Sequence, residues 1–260
     1  GDVTTATESQ PTPQLTQSLQ QMLLMLLEEG HDDAAAMLAQ QPPTEIDRST
    51  AAVALCHAYV AHSLKTSIAP TRLSAIDRMI ADNAQDAAVQ QAAGDCLFMC
   101  GQHERASTCY RRVLELEPSH PFARNNLALT LAELERLPEA EAMLASALSE
   151  RPGNLELLDT QAVVALVGEQ AEQARAILAP AVEQNPSQPV LQLHLAAAYD
   201  AMCDDDSARQ CLLTALAAGV DRQVLTPRDR ESLKLLQQTH KLMPQAPPVD
   251  AGRQVASASK

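Results

Sequence analysis

Four alanines recur at one interval. Ala106, Ala140, Ala174 and Ala208 each stand 34 residues after the one before. Three prolines keep the same beat, Pro118, Pro152 and Pro186, with Val220 where a fourth would fall. A fixed period of this length is the mark of a stacked helix–turn–helix unit. Each such unit carries an apolar face that only a neighbour can cover. The chain is therefore expected to be an all-α solenoid rather than a sheet-based domain, and no alternating strand pattern competes with that reading.

The residues between the markers agree with the period. With Ala87, Pro121, Leu155 and Pro189 as first positions, the eighth residue is small in every unit: Gly94, Ala128, Ala162, Ala196. The twentieth is the recurrent alanine, the twenty-fourth is Tyr110, Leu144, Leu178 or Leu212, and the twenty-seventh is Val113, Ala147, Ala181 or Ala215. Two antiparallel helices approach closely only where small side chains meet, and a large one beside them fills the gap. The proline stops the second helix and presets the next turn. This set resembles the tetratricopeptide repeat family over four units, a little over half the chain. The family often carries aromatics near its fourth and eleventh positions. Here those are Gln90, Arg124, Leu158, Gln192 and Leu97, Leu131, Ala165, Tyr199. Aromatics make up 2% of the chain and tryptophan is absent, so the core must be leucine and alanine.

The organisation expected along the chain has five parts. Residues 1–14 read as a disordered tail, and 15–86 as degenerate helix pairs packing on the array. Residues 87–222 read as four repeats, 223–242 as a capping helix and 243–260 as a second disordered tail. Leu15–Glu29 should be a buried helix stopped by Gly30. Asp32–Gln40, Thr44–Ser63 and Pro70–Ile80 should follow as helices. Thr226 and Pro227 should cap and open the last helix, the cover for the exposed end of the array. Pro180 should kink its helix by removing the amide that would bond back to Ala176. The apolar run Met22–Leu27 is far shorter than the roughly 20 residues a bilayer span needs. A membrane-inserting reading of it is the weaker one. No basic stretch precedes that run as in a signal peptide, and the missing initiator Met points to a processed or excised chain.

Net charge is −14 and the sequence pI about 4.8. That surface repels phosphate, which argues against nucleic acid and anionic membrane as partners. The six cysteines show no disulfide-scaffold spacing and are expected to be reduced, as in a cytoplasmic compartment. Cys96, Cys100, His103 and Cys109 could form a partial metal site. Buried packing thiols are the preferred reading, with no metal and no cofactor. No Ser/His/Asp order, phosphate loop or His-Glu-x-x-His helix is present, so the chain is not read as an enzyme.

The family resemblance implies a groove lined by the first helix of each repeat. Carried over position by position, its candidate residues are Gln91, Asp95, Phe98 and Met99 in the first repeat. The second gives Phe122, Asn125, Asn126, Leu129 and Glu133. The third gives Glu156, Asp159, Thr160, Val163, Leu166 and Val167. The fourth gives Val190, Leu193, His194, Ala197 and Asp200. This is an apolar floor with an acidic fringe, suited to a partner with basic and apolar residues. The opposing reading makes several of them inter-repeat core, or covers them with the chain's own terminal segments. The family's carboxylate-clamping mode is disfavoured, since no lysine or arginine occupies these positions. The expected function is a non-catalytic scaffold or adaptor that binds a peptide or helix. Self-assembly into homo-oligomers and chaperoning within a secretion or assembly system are the alternatives.

Overall fold

The computed structural model of the chain describes residues 13–63, 69–120 and 122–242. Residues 1–12, 64–68, 121 and 243–260 lie outside that set, and with them the expectation of two disordered tails, except for residues 13 and 14, which open the first helix. The described residues form helices joined by short turns, with no strand among them. The helices are α1 (Pro13–Glu28), α2 (Asp32–Gln40), α3 (Arg48–Ser63) and α4 (Pro70–Asp82), then α5 (Ala87–Met99) and α6 (His103–Leu116). They continue as α7 (Ala123–Glu133), α8 (Leu137–Glu150), α9 (Leu155–Val167), α10 (Ala171–Gln184), α11 (Pro189–Ala201) and α12 (Asp205–Ala217). A 3-10 turn, Val220–Arg222, leads to α13 (Pro227–Thr239). The architecture is an all-α solenoid of antiparallel helix pairs.

The small and bulky positions meet inside each pair. Ala106, Ala140, Ala174 and Ala208 are completely buried, as are Ala128, Ala162 and Ala196. Tyr110, Leu144, Leu178 and Leu212 fill the space beside them and are themselves buried. The first pair shows why its eighth position is glycine. A Cβ on Gly94 would lie 2.7 Å from Cε1 of Tyr110, inside any allowed contact. The other three pairs combine alanine with leucine, so the sum of the two sizes is kept while its division changes.

The turn within each pair repeats as well. Gly101, Glu135, Glu169 and Cys203 all have positive φ, between 58° and 72°. Each ends a first helix with the two backward bonds of a Schellman motif, for example Arg136 N to Leu131 O at 2.9 Å and Glu135 N to Ala132 O at 2.9 Å. Gly30 ends α1 in the same way. Side-chain caps open other helices: Asp86 accepts from Val89 N, Asn154 from Leu157 N, and Thr226 from Asp229 N. The third helix starts later than the Thr44 read from the pattern. Asp47 caps it, with Oδ1 accepting from Thr50 N at 2.8 Å. The tenth helix runs unbroken through Pro180. No helix of the described residues is long and apolar enough to cross a membrane.

Candidate functional site

The first helices α5, α7, α9 and α11 present their repeat-equivalent residues to two neighbouring hollows. One, of about 210 Å³, is bounded by Asp95, Phe98, Met99, Tyr110, Asn126 and Leu129. The other, of about 270 Å³, takes in Asn125, Leu129, Glu133, Asp159, Val163 and His194. Leu129 belongs to both and so forms the floor between them. Not every sequence candidate lies there. Leu166 packs in the core of the third and fourth pairs, and Val167 packs against the main core. Leu193 is fully buried under the last helix. Phe122 is exposed, edge-on to His120 at 6.3 Å between ring centres.

The acidic fringe is already engaged by the chain itself. Asp95 Oδ1 accepts from the Tyr110 hydroxyl at 2.7 Å, from Gln91 Nε2 at 2.9 Å and from Asn126 Nδ2 at 2.9 Å. Glu133 receives a two-pronged bond from Arg228, at 2.6 and 3.0 Å, across 95 residues of sequence. Asp159 lies 2.6 Å from His194 Nδ1, and Asp200 lies 3.0 Å from His240 Nε2. Of the two neighbouring asparagines, Asn126 is committed to Asp95. The Oδ1 of Asn125 is buried and finds no hydrogen-bond partner among the described residues.

His194 is the electrostatic centre of this face. Its other ring nitrogen, Nε2, meets Asp229 of α13 at 3.0 Å. Ionised carboxylates can only accept, so both ring nitrogens must carry protons and the ring is an imidazolium. Burial by itself lowers the pKa of such a ring. Asp159 and Asp229 outweigh that and hold it at about 10. Burial likewise works against ionisation of Asp229, but its bond to His194 keeps its pKa below the ordinary value. With both nitrogens occupied, the ring has no free site for a nucleophile's proton, so it joins α9, α11 and α13 as a structural clasp. Position six of the last repeat pointed to this histidine. Its partner Asp229 went unrecognised because it lies in the next helix, three residues past the Thr226 cap.

Elsewhere, Asp200, Asp205 and His240 bring one ligand atom each within 4.8 Å of one another. That is three donors, one fewer than a closed structural zinc site, and His240 is already bonded to Asp200. The cysteine cluster is built as packing. Cys56, Cys96 and Cys109 are buried, and burial pushes the Cys109 thiol up to about 12. His103 stacks edge-on against Phe98 at 5.3 Å.

The profile of the anaphase-promoting complex, cyclosome, subunit 3 family matches residues 70–147, and a tetratricopeptide repeat profile matches residues 168–226. Interferon-induced protein with tetratricopeptide repeats 3 of Mus musculus is 31% identical over 146 residues, 53% of this chain. This chain spans 36% of that protein's length. Among solved structures, a tetratricopeptide repeat protein from Parabacteroides merdae aligns over 88% of this chain and 93% of its own, with TM-score 0.59 and 12% identity. A chain of the APC/C hetero-tetramer Cut9-Hcn1 aligns over 87% of this chain and 41% of its own, with TM-score 0.58 and 16% identity. These structural likenesses carry the fold alone. By period, by pair packing and by the profile over residues 168–226, the chain carries tetratricopeptide repeats.

Proposed function

We propose that this protein is a scaffold or adaptor that receives an extended or helical protein segment along the face of its first helices. The observation that carries the reading is the pair of hollows meeting at Leu129. Their floor is apolar, with Phe98, Met99 and Val163. An aliphatic partner side chain buried there gains roughly 1.5–3 kcal/mol. The test is Leu129→Ala combined with Val163→Ala, measured against a partner recovered by affinity capture, with helicity checked by circular dichroism. Binding should weaken tenfold or more. A folded double variant that binds as tightly as the parent removes the groove from consideration.

Self-assembly has one observation in its favour. Leu15, Met22 and Met25 lie along one side of α1 and are 40%, 45% and 57% exposed. Docking of that face on another copy predicts oligomers that light scattering detects and Met22→Lys with Met25→Lys dissolves.

A further inference from the structure

One short segment bonds two of the first helices, α7 and α11, and lines hollows shared with the other two, α5 and α9. Leu225 is buried against Leu193 of α11 and is packed with Val220, Leu233 and Leu236. Thr226 borders the hollow made by Asp95, Phe98 and Met99 of α5 with Asn126 and Leu129 of α7. Arg228 bonds Glu133 at the end of α7, and Asp229 reaches His194, which in turn holds Asp159 of α9. A helix that merely covered the last repeat would meet α11 and α12. This segment runs back over the first and second repeats, where a bound peptide would lie.

Resting on the groove reading above, we propose that residues 223–229 are an internal ligand of the groove. The external partner is then an extended segment that presents an aliphatic residue with an arginine a few positions after it, and it competes for the same places. Three observations support competition over permanent closure. The segment leaves unfilled hollows of about 210 and 270 Å³ beside it. Its arginine is 41% exposed, and ion pairs that meet water hold weakly. Val224 next to Leu225 is 66% exposed, so the approach to the 3-10 turn carries little packing. Charge points the same way. Lifting Arg228 leaves Glu133 beside Glu156 and Asp159 on a chain of net charge −14, a setting that selects a cation.

The experiment uses the full chain and a labelled synthetic peptide with the sequence of Gly219–Glu231, followed by fluorescence anisotropy. Arg228→Glu sets a like charge against Glu133 and should free the groove. It should bind the peptide about tenfold more tightly than the parent, because the competing closed population is removed. Peptides carrying Leu225→Ala or Arg228→Glu should bind less tightly, and Glu133→Gln added to the Arg228→Gln protein, where the internal pair is already gone, should weaken the unmodified peptide. Arg228→Gln, a milder release, should fall between parent and Arg228→Glu. Absence of saturable binding to either folded release variant overturns the internal-ligand inference. If a captured partner still depends on Leu129 and Val163 in that case, the groove reading survives alone. A partner indifferent to both residues sinks the groove reading and this inference with it.

Discussion

The helices before Ala87 and those after it solve one problem in two ways. In the array, first helices pack closely on their own second helices, as α5 does on α6 and α11 on α12. Before it, α1 and α3 pack mainly along the line α1–α3–α5, and α4 touches α3 only lightly. The difference lies in repetition. The array keeps alanine or glycine with Tyr or Leu at every pair and at one 34-residue period, whereas residues 13–82 hold that spacing once, in Ala39, Ala51, Leu55 and Ala58, and off the period. Around α4, which lies outside that spacing, a hollow of about 450 Å³ opens between α2, α3 and α4, lined by Ala36, Ala52, Leu55, Ala75 and Met79. A charge takes over the joining. Arg72 of α4 is 6% exposed and bonds Asp32 of α2 at 2.8 Å and His62 of α3 at 2.6 Å. Its guanidinium also lies 5.8 Å from the centre of the Tyr59 ring.

The largest expected effect breaks that charged joint. Arg72→Ala leaves Asp32 without its cation and should cost about 3–5 kcal/mol, as loss of one partner of a buried pair does. Arg72→Met keeps the stem and should cost less. Hydrogen exchange should place the loss in α1–α4 and spare α9–α12. Uniform loss across the chain would mean that the two regions fold as one unit.

The array holds a buried charge of its own, and pH separates it from the first. His194 has its pKa raised from 6.5 to about 10 in the folded chain. The folded state therefore keeps a proton that the unfolded state releases. The stabilisation is full below pH 6.5 and is lost as pH climbs towards 10, by up to about 1.4 kcal/mol per unit. Asp229 acts oppositely, since its pKa is lowered, and its share disappears only in acid. Thermal melts from pH 6.5 to 8.5 should fall more steeply for the parent than for His194→Gln. Equal slopes would show that the clasp does not hold its proton.

The size rule can be tested within the array. Gly94→Ala should destabilise by about 1–3 kcal/mol through its clash with Tyr110. Adding Tyr110→Leu recreates the alanine–leucine pair of the other repeats. The double variant should be more stable than the sum of its singles, after allowing for the phenol bond that Asp95 loses. Simple additivity would mean the ring moves aside at no cost.

How much of this could be read from residue order depends on distance along the chain. Pair packing, the Gly30 stop and the Thr226–Pro227 start were legible because each is a local pattern. The repeated left-handed turn was only partly so. Gly101 announces it, but Glu135, Glu169 and Cys203 adopt it because the Schellman bonds and neighbouring pair impose it. The lining of the two hollows was half legible. Positional carry-over named Leu129, Glu133, Val163 and His194, which line them. It also gathered Leu166 and Leu193, which face helix neighbours, because one helix's pattern does not say which side its neighbour covers. The partners of the acidic fringe were illegible for a stronger reason. Tyr110, Arg228, His194 and His240 lie between 15 and 95 residues from the carboxylates they meet.

The smallest expected effect concerns the seam between the two regions. Cys56 of α3 lies 3.9 Å from the sulfur of Met79 in α4, and Cys96 and Cys109 are buried on the first repeat. A metal at this seam would make a third kind of joint. It would need thiolates, and the surroundings oppose them. Burial raises the Cys56 thiol well above its ordinary range, and a hydrogen bond with Cys100 together with burial does the same to Cys96. A thiol that keeps its proton is a poor ligand, because binding must first remove that proton. Incubation with a strong chelator should therefore leave the melting temperature of the purified protein unchanged. Elemental analysis should find no stoichiometric zinc. A large drop in melting temperature on chelation, recovered by zinc and abolished by Cys96→Ser, would replace packing with coordination as the link between the degenerate helices and the array.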